Sequence, residues 1–131
     1  MVPVIEGTDR LKTVQAEYDF AIDGGATGDI TLRGVDIQGN EIPAGSVIEM
    51  GYIDVLTAVA SATGTVALRA EATADILAAT GQGGLTLGRK SVIPAGTGAT
   101  AVKTTAKRNL IMTIATAALT AGKFRVVLFY K

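Results

Sequence analysis

The sequence predicts an all-β protein, an antiparallel β-sandwich of the jelly-roll type with roughly eight strands. Three observations carry this reading. Apolar and polar residues alternate with a period of two in one segment after another. These segments are short and are punctuated by Gly, Pro and Asn turn signals at the spacing of a sandwich. No stretch shows the 3.6-residue apolar period of an amphipathic helix. An immunoglobulin-like sandwich stands second; the Cys–Trp–Cys signature is missing, as it is from many members of that architecture. A chain of 131 residues supports one core and one domain.

The first strand runs from Lys12 to Ile22. Val14, Ala16, Tyr18, Phe20 and Ile22 share one face, and Thr13, Gln15, Glu17 and Asp19 the other, so one side is wet. Asp23 to Gly28 is a turn. The next strand sets Ile30 and Leu32 inward and Asp29, Thr31 and Arg33 outward. Gly39-Asn40 and Pro43-Ala44-Gly45 mark the following loop. From Ser46 to about Thr57 the alternation slips. Ile48 and Met50 hold one phase, Ile53 and Val55 the other, and Gly51 at the slip predicts a β-bulge. With a bulge, Glu49, Tyr52 and Asp54 all face away from the core; without one, an acid is forced inward at a cost.

Thr65 to Glu71 is a strand with Val66 and Leu68 inside. Asp75 to Ala79 fits either one helical turn or a loop crossing the end of a sheet. Gly81 to Gly98 is Gly-rich, with short strands at Leu85-Thr86-Leu87 and Ser91-Val92-Ile93, followed by a further candidate at Thr100–Thr104. Asn109 to Thr116 places Leu110, Met112 and Ile114 on one face. The last strand, Phe124 to Tyr130, is apolar on both faces near its end: Phe124, Val126, Leu128 and Tyr130 on one, Arg125, Val127 and Phe129 on the other. That pattern belongs to a central strand or to one side of a subunit interface. The tetrapeptide Ile42-Pro43-Ala44-Gly45 returns as Ile93-Pro94-Ala95-Gly96, and Leu119-Thr120-Ala121-Gly122 resembles it. Pro and Gly make each a reusable turn before a strand.

Missing residue types narrow the chemistry. The chain has no His, Cys or Trp. Nucleophile–His pairs, disulfides and Cys/His zinc sites are therefore impossible. Asp23-Gly24-Gly25 lacks the further carboxylates of a calcium loop and reads as a turn. Gly81-Gln82-Gly83-Gly84 lacks the Lys-Ser/Thr and the helix of a phosphate cradle. No cofactor or metal is expected. An enzyme would need paired carboxylates drawn from acids such as Asp19, Asp23, Glu49 or Asp54.

Hydrophobic residues make up 48% of the chain. The mildly apolar stretch Ile114 to Ala121 is too short to cross a bilayer, so no membrane partner is expected. The apolar surplus points instead to contacts between subunits, with Val127, Phe129 and Arg125 of the last strand as candidate interface residues. Formal net charge is +0 but polarised along the chain. Residues 1–75 hold all 12 acids and four bases (Arg10, Lys12, Arg33, Arg69); residues 76–131 hold no acid and the other eight bases. Either the halves interleave and neutralise each other, or two patches of opposite sign orient neighbouring subunits. Arg89 and Lys90, with Lys107 and Arg108, form a modest basic patch. Aromatic residues do not interleave with these bases, so no nucleic acid is expected. Residues 1–13 lack the basic start and apolar block of a signal peptide. They form a candidate extended arm, with Val2, Pro3, Val4 and Ile5 as contact residues, and residues 14–131 form the sandwich domain.

The chain resembles the small structural proteins of tailed bacteriophages, in particular head decoration (cement) proteins. The stretches that carry the resemblance are Glu17-Tyr18-Asp19-Phe20-Ala21-Ile22-Asp23-Gly24-Gly25, Gly28-Asp29-Ile30-Thr31-Leu32-Arg33-Gly34, Ile42-Pro43-Ala44-Gly45, Tyr52-Ile53-Asp54-Val55-Leu56-Thr57 and Ile114 to Phe124. Their order and their Ala/Thr/Gly texture matter more than any one of them. The resemblance implies a non-enzymatic β-sandwich homotrimer, assembled in the host cytoplasm. It would bind the major capsid protein on the outer surface of the virion head and stabilise the shell. No catalytic residue carries over. A tail or fibre component and a carbohydrate-binding sandwich are the rival expectations. The latter wants exposed aromatics, whereas most of Tyr18, Tyr52, Tyr130, Phe20, Phe124 and Phe129 fall on core faces.

Overall fold

The computed structural model describes residues 11–35, 39–92 and 102–131. Strands β1 (Lys12–Asp19), β2 (Gly28–Thr31), β3 (Arg33–Gly34), β4 (Ile48–Ala60), β5 (Thr65–Arg69), β6 (Leu77–Gly81), β7 (Gly88–Val92), β8 (Ile111–Ala115) and β9 (Ala121–Tyr130) are joined by a helical turn α1 (Phe20–Asp23) and a 3-10 turn at Gln82–Gly84. The pairs β5–β6, β4–β7, β2–β8 and β1–β9 are all antiparallel neighbours. They nest inside one another like the rungs of a single long hairpin. Rolling that hairpin up adds the pairs β4–β9 and β5–β8 and splits the ladder into two sheets, β3-β1-β9-β4-β7 and β2-β8-β5-β6. This is the jelly-roll wrap that the alternation predicts.

Between the sheets lies one apolar core. Val14, Ala16 and Tyr18 of β1 meet Phe124, Val126, Leu128 and Tyr130 of β9 and Ile53 and Val55 of β4; Val66, Leu68, Met112 and Ile114 enter from the second sheet. The Tyr18 and Phe124 rings pack 5.3 Å apart, tilted by 37°. Tyr18 is buried, yet its hydroxyl donates to the Gly24 carbonyl at 2.6 Å. Burial, followed by the carboxylates of Asp23 and Asp19, pushes its phenol up to about 12.

Four expectations are corrected. The first strand stops at Asp19 instead of reaching Ile22. The Asp19 side chain accepts from the Ala21 N–H at 3.0 Å, and Asp23 Oδ2 accepts from the Asp19 N–H at 2.9 Å. These two bonds cap a helical turn, which carries Ile22 out to 65% exposure. The slip in β4 is present, but the irregularity lies between Ile48 and Met50, so Met50 faces outward. Gly51 is needed for a separate reason. A Cβ there would meet Leu128 Cδ2 and lie 2.7 Å from the Val127 carbonyl oxygen, because β9 passes so close. Of Asp75 to Ala79, read as one helical turn or a loop, the part from Leu77 on belongs to edge strand β6. Leu85–Leu87 is not a strand; Leu85 is a single buried plug and β7 begins after it. The candidate strand at Thr100–Thr104 lies partly outside the described residues; Lys103 makes an isolated bridge to Val47. Lys12 and Thr13, grouped above with the arm, open β1.

Asn40 ties the end of the roll together. Its buried amide donates to the Leu32 and Leu110 carbonyls, both at 2.8 Å, and its Oδ1 accepts from the Leu110 N–H at 2.9 Å. The Leu110 carbonyl also accepts from the Leu32 N–H at 3.1 Å, so Asn40→Leu leaves the Leu32 carbonyl and the Leu110 N–H without their Asn40 partner in a dry site. A stability loss of about 3 kcal/mol is expected, read by urea denaturation.

Candidate subunit-contact surface

The two sheets present very different outer faces. On the four-stranded sheet, Asp29, Thr31, Ala67, Arg69 and Thr113 alternate with the core residues. The polar groups there satisfy one another: Asp29 accepts from Arg69 Nη2 at 2.8 Å and from Thr113 Oγ1 at 2.7 Å.

The five-stranded sheet is different, and the register shows how. Thr13, Phe129 and Met50 lie side by side across β1, β9 and β4. Gln15, Val127 and Tyr52 form the next row, and Glu17, Arg125, Asp54 and Arg89 the third, reaching β7. Asp19, Lys123 and Thr57 form the last. At the centre of the first two rows Met50, Phe129, Tyr52 and Val127 are apolar and aromatic, with the polar Thr13 and Gln15 at their β1 ends. The Tyr52 and Phe129 ring centroids are 6.4 Å apart, and the Arg89 guanidinium sits 4.2 Å from the Tyr52 centroid. Met50 is 51% exposed; Leu11 and Val35, also exposed, lie at the same end.

In the third row the charges alternate in sign from strand to strand. Arg125 Nη2 approaches Glu17 at 3.4 Å, and Lys123 lies 3.8 Å from Glu17 and 3.9 Å from Asp19. Arg125 Nε is buried and has no acceptor among the described residues. Arg33, opposite Glu17 on β3, turns to Asp23 at 3.1 Å. Beyond the last row a cleft of about 370 Å³ opens. Phe20 and Ala21 of α1, Thr57 of β4, and Ala121 and Gly122 of β9 line it, with Asp19 and Lys123 in its walls.

The residues singled out in the sequence are distributed as follows. Arg125, Val127 and Phe129 fall in one column on this face. Val127 is already covered by its own chain at 4% exposure, and Phe129 is half-buried. The four bases of the predicted patch fall into two groups with different partners. Arg89 stacks on Tyr52, and Lys90 Nζ donates to Thr86 Oγ1 at 3.1 Å. Lys107 pairs with Glu41 at 3.6 Å and Arg108 with Glu71 at 2.8 Å. Val2, Pro3, Val4 and Ile5 lie outside the described residues. The outward turn of Met50 and the cleft were not foreseen. Both depend on the β4–β9 register and on α1, which alternation alone does not give.

Among the carboxylates offered as a catalytic pair, Asp23 is taken up by Arg33 and the Asp19 backbone, while Asp19 caps α1. Gly24 adopts φ 77°, so Asp23-Gly24-Gly25 is turn chemistry, as read from the sequence. Among the described residues, no group of three His, Cys, Asp or Glu side chains gathers where a metal ion could sit.

Glu71 is held by four hydrogen bonds. Arg108 Nε and Nη2 donate to its two oxygens at 2.8 and 3.1 Å, and the Thr105 N–H and hydroxyl donate at 3.0 and 2.8 Å. The Arg108 hydrogen bonds, then those of Thr105, hold its carboxyl down to about 2. A carboxyl held down in the fold stabilises above the ordinary carboxylate range, and that contribution fades as pH falls toward 2. Melting temperatures of wild type and Glu71→Gln should therefore differ at pH 7 and converge between pH 4.5 and 2. A gap independent of pH would contradict the assignment.

No protein-family model matches the chain, and no curated protein matches its sequence. Solved structures do match. A chain in the capsid of Ralstonia phage GP4 superposes with a TM-score of 0.64 at 16% identity, covering 99% of this chain and 89% of that one. A chain of the cyanophage Pam1 capsid asymmetric unit gives 0.60 at 19% identity, covering 92% and 84%. One from the acid-stable capsid of Helicobacter pylori bacteriophage KHP30 gives 0.60 at 13% identity, covering 92% and 86%. The jelly-roll fold of this chain is thus shared, nearly end to end, with chains found in three bacteriophage capsids.

Proposed function

We propose that this chain is a non-enzymatic structural protein of a bacteriophage head, a decoration protein that binds the outer surface of the assembled shell as a homotrimer. The observation that carries the reading is the fold match to three phage capsid structures over 92% or more of the chain. The surface agrees with it. One sheet carries Met50, Tyr52, Val127 and Phe129 on its outer face, whereas the one acid of the other sheet's strands, Asp29, is bonded to Arg69 and Thr113. Such a division suits a rigid block that meets other subunits through one side.

The major capsid protein is the partner. Residues 1–10, with Val2, Pro3, Val4 and Ile5, are the segment that reaches it. An extended segment adds to a sheet edge through main-chain hydrogen bonds, and alternate side chains select the register. Three such arms on one trimer raise the effective concentration at the shell, so each contact needs only modest affinity. A ligand that binds only the assembled shell stabilises it by mass action. A tail or fibre component of the same fold would bind elsewhere on the virion.

Purified protein should co-sediment with expanded empty heads of its phage and raise their disruption temperature. Deleting residues 1–10 leaves β1 whole, so the variant should keep its melting temperature and oligomeric state and lose co-sedimentation by tenfold or more. Full binding by the variant would refute the arm. Failure of the intact chain to bind heads, with labelling of tails in electron micrographs, would refute the head assignment.

A further inference from the structure

The charged row on the outer face of the five-stranded sheet inverts its signs when read backwards. From β1 to β7 it runs Glu17, Arg125, Asp54, Arg89: acid, base, acid, base. From β7 to β1 it runs base, acid, base, acid. The chain satisfies this row only in part. Arg125 approaches Glu17 at 3.4 Å, and Arg89 lies over the Tyr52 ring. Asp54 has no hydrogen-bond or ion-pair partner among the described residues. The two rows beside it hold apolar pairs on the same two central strands. Phe129 and Met50 are neighbours on β9 and β4, and so are Val127 and Tyr52. Met50 is exposed, and Tyr52 and Phe129 are half-buried.

We infer that this face packs on the same face of a second copy, about a two-fold axis parallel to the strands and midway between β9 and β4. That axis lays β9 of one copy over β4 of the other, and β1 over β7. Arg125 then faces Asp54 of the second copy, and Glu17 faces Arg89. All four charges meet their opposites, and Asp54 acquires the base it lacks. In the same arrangement Met50 lies over Phe129 of the second copy, a thioether on an aromatic ring, and Tyr52 lies over Val127. A two-fold axis along the charged row would instead set each charge against its own copy, so sign selects between the two arrangements. The occupant is a second copy because the complement of this row is the row itself. The contact is isologous, one patch used twice, and has the form of two twisted sheets packed in alignment. The patch spans about 14 Å across four strands and about 20 Å along them. That is small for a protein contact, so free copies associate reversibly. The contact does not rest on the head assignment; in the proposed homotrimer it would join one trimer to another.

Sedimentation of the protein alone, without shells and over a range of concentrations, tests it. The wild-type mass should double as concentration rises. Asp54→Arg and Arg125→Asp each set like charges face to face. Each should weaken association by about tenfold or more with unchanged circular dichroism. Thr31→Glu on the opposite sheet should have no effect. The decisive arm mixes the two reversed variants in equal amounts. Opposite signs then face each other at both symmetry-related contacts, and association should return to the wild-type level. If Arg125→Asp fails to fold, Glu17→Lys mixed with Arg89→Glu makes the same exchange of sign. A wild-type mass that never doubles, single variants that associate like wild type, or a mixture no tighter than either variant would each overturn the contact. A lone trimer would overturn it and leave the homotrimer standing. A lone dimer would support it and refute the homotrimer.

Discussion

Everything in this molecule depends on where its last strand goes. β9 enters between β1 and β4 and pairs with both along most of its length. In the five-stranded sheet it joins β1, at the start of the long hairpin, to β4. Phe124, Val126, Leu128 and Tyr130 fill the core from it, while Arg125, Val127 and Phe129 build the centre of the outer face. Core closure and contact surface are thus two faces of one strand. The tight passage over Gly51 follows from the same placement, since a side chain there would collide with Leu128.

Charge follows topology. The acids gathered in the first 75 residues and the bases of the last 56 would repel within each half if the halves folded apart. Interleaving sets Lys123 and Arg125 against Glu17 and Asp19, Arg108 against Glu71, and Lys107 against Glu41. Mutual neutralisation therefore accounts for much of the polarity, and only the row across the outer sheet keeps an ordered pattern of sign. Exposed pairs of this kind each contribute little, since water and salt screen them. Fully burying a residue such as Phe124 or Leu128 contributes about 1.5–3 kcal/mol. The core decides the fold, and the ion pairs select the register in which its surface settles.

Strands with one dry and one wet face were legible in the sequence: β1, β5 and β8 follow their alternation over the lengths the fold gives them. The bulge in β4 was legible because two apolar phases cannot both face the core, though its position moved to Glu49. Local chemistry defeated the period at Asp19, where capping bonds end the strand and turn Ile22 outward. β6 was hidden because Ala78, Ala79 and Thr80 carry no alternation, and only the neighbouring β5 makes them a strand. The same limit applies to the surface. Arg125, Val127 and Phe129 share a face by spacing alone, but Met50 and Tyr52 join them only through pairing with β9, and the cleft needs a helical turn that no periodicity announces.

The central position of β9 makes a direct demand on its backbone. Amide hydrogen exchange, followed strand by strand in the free protein, measures it. The account predicts that amides from Phe124 to Tyr130 exchange slowest, at the rate of global unfolding, while those of edge strands β6 and β7 exchange through local opening orders of magnitude sooner. Exchange of β9 on the timescale of those edges would contradict it.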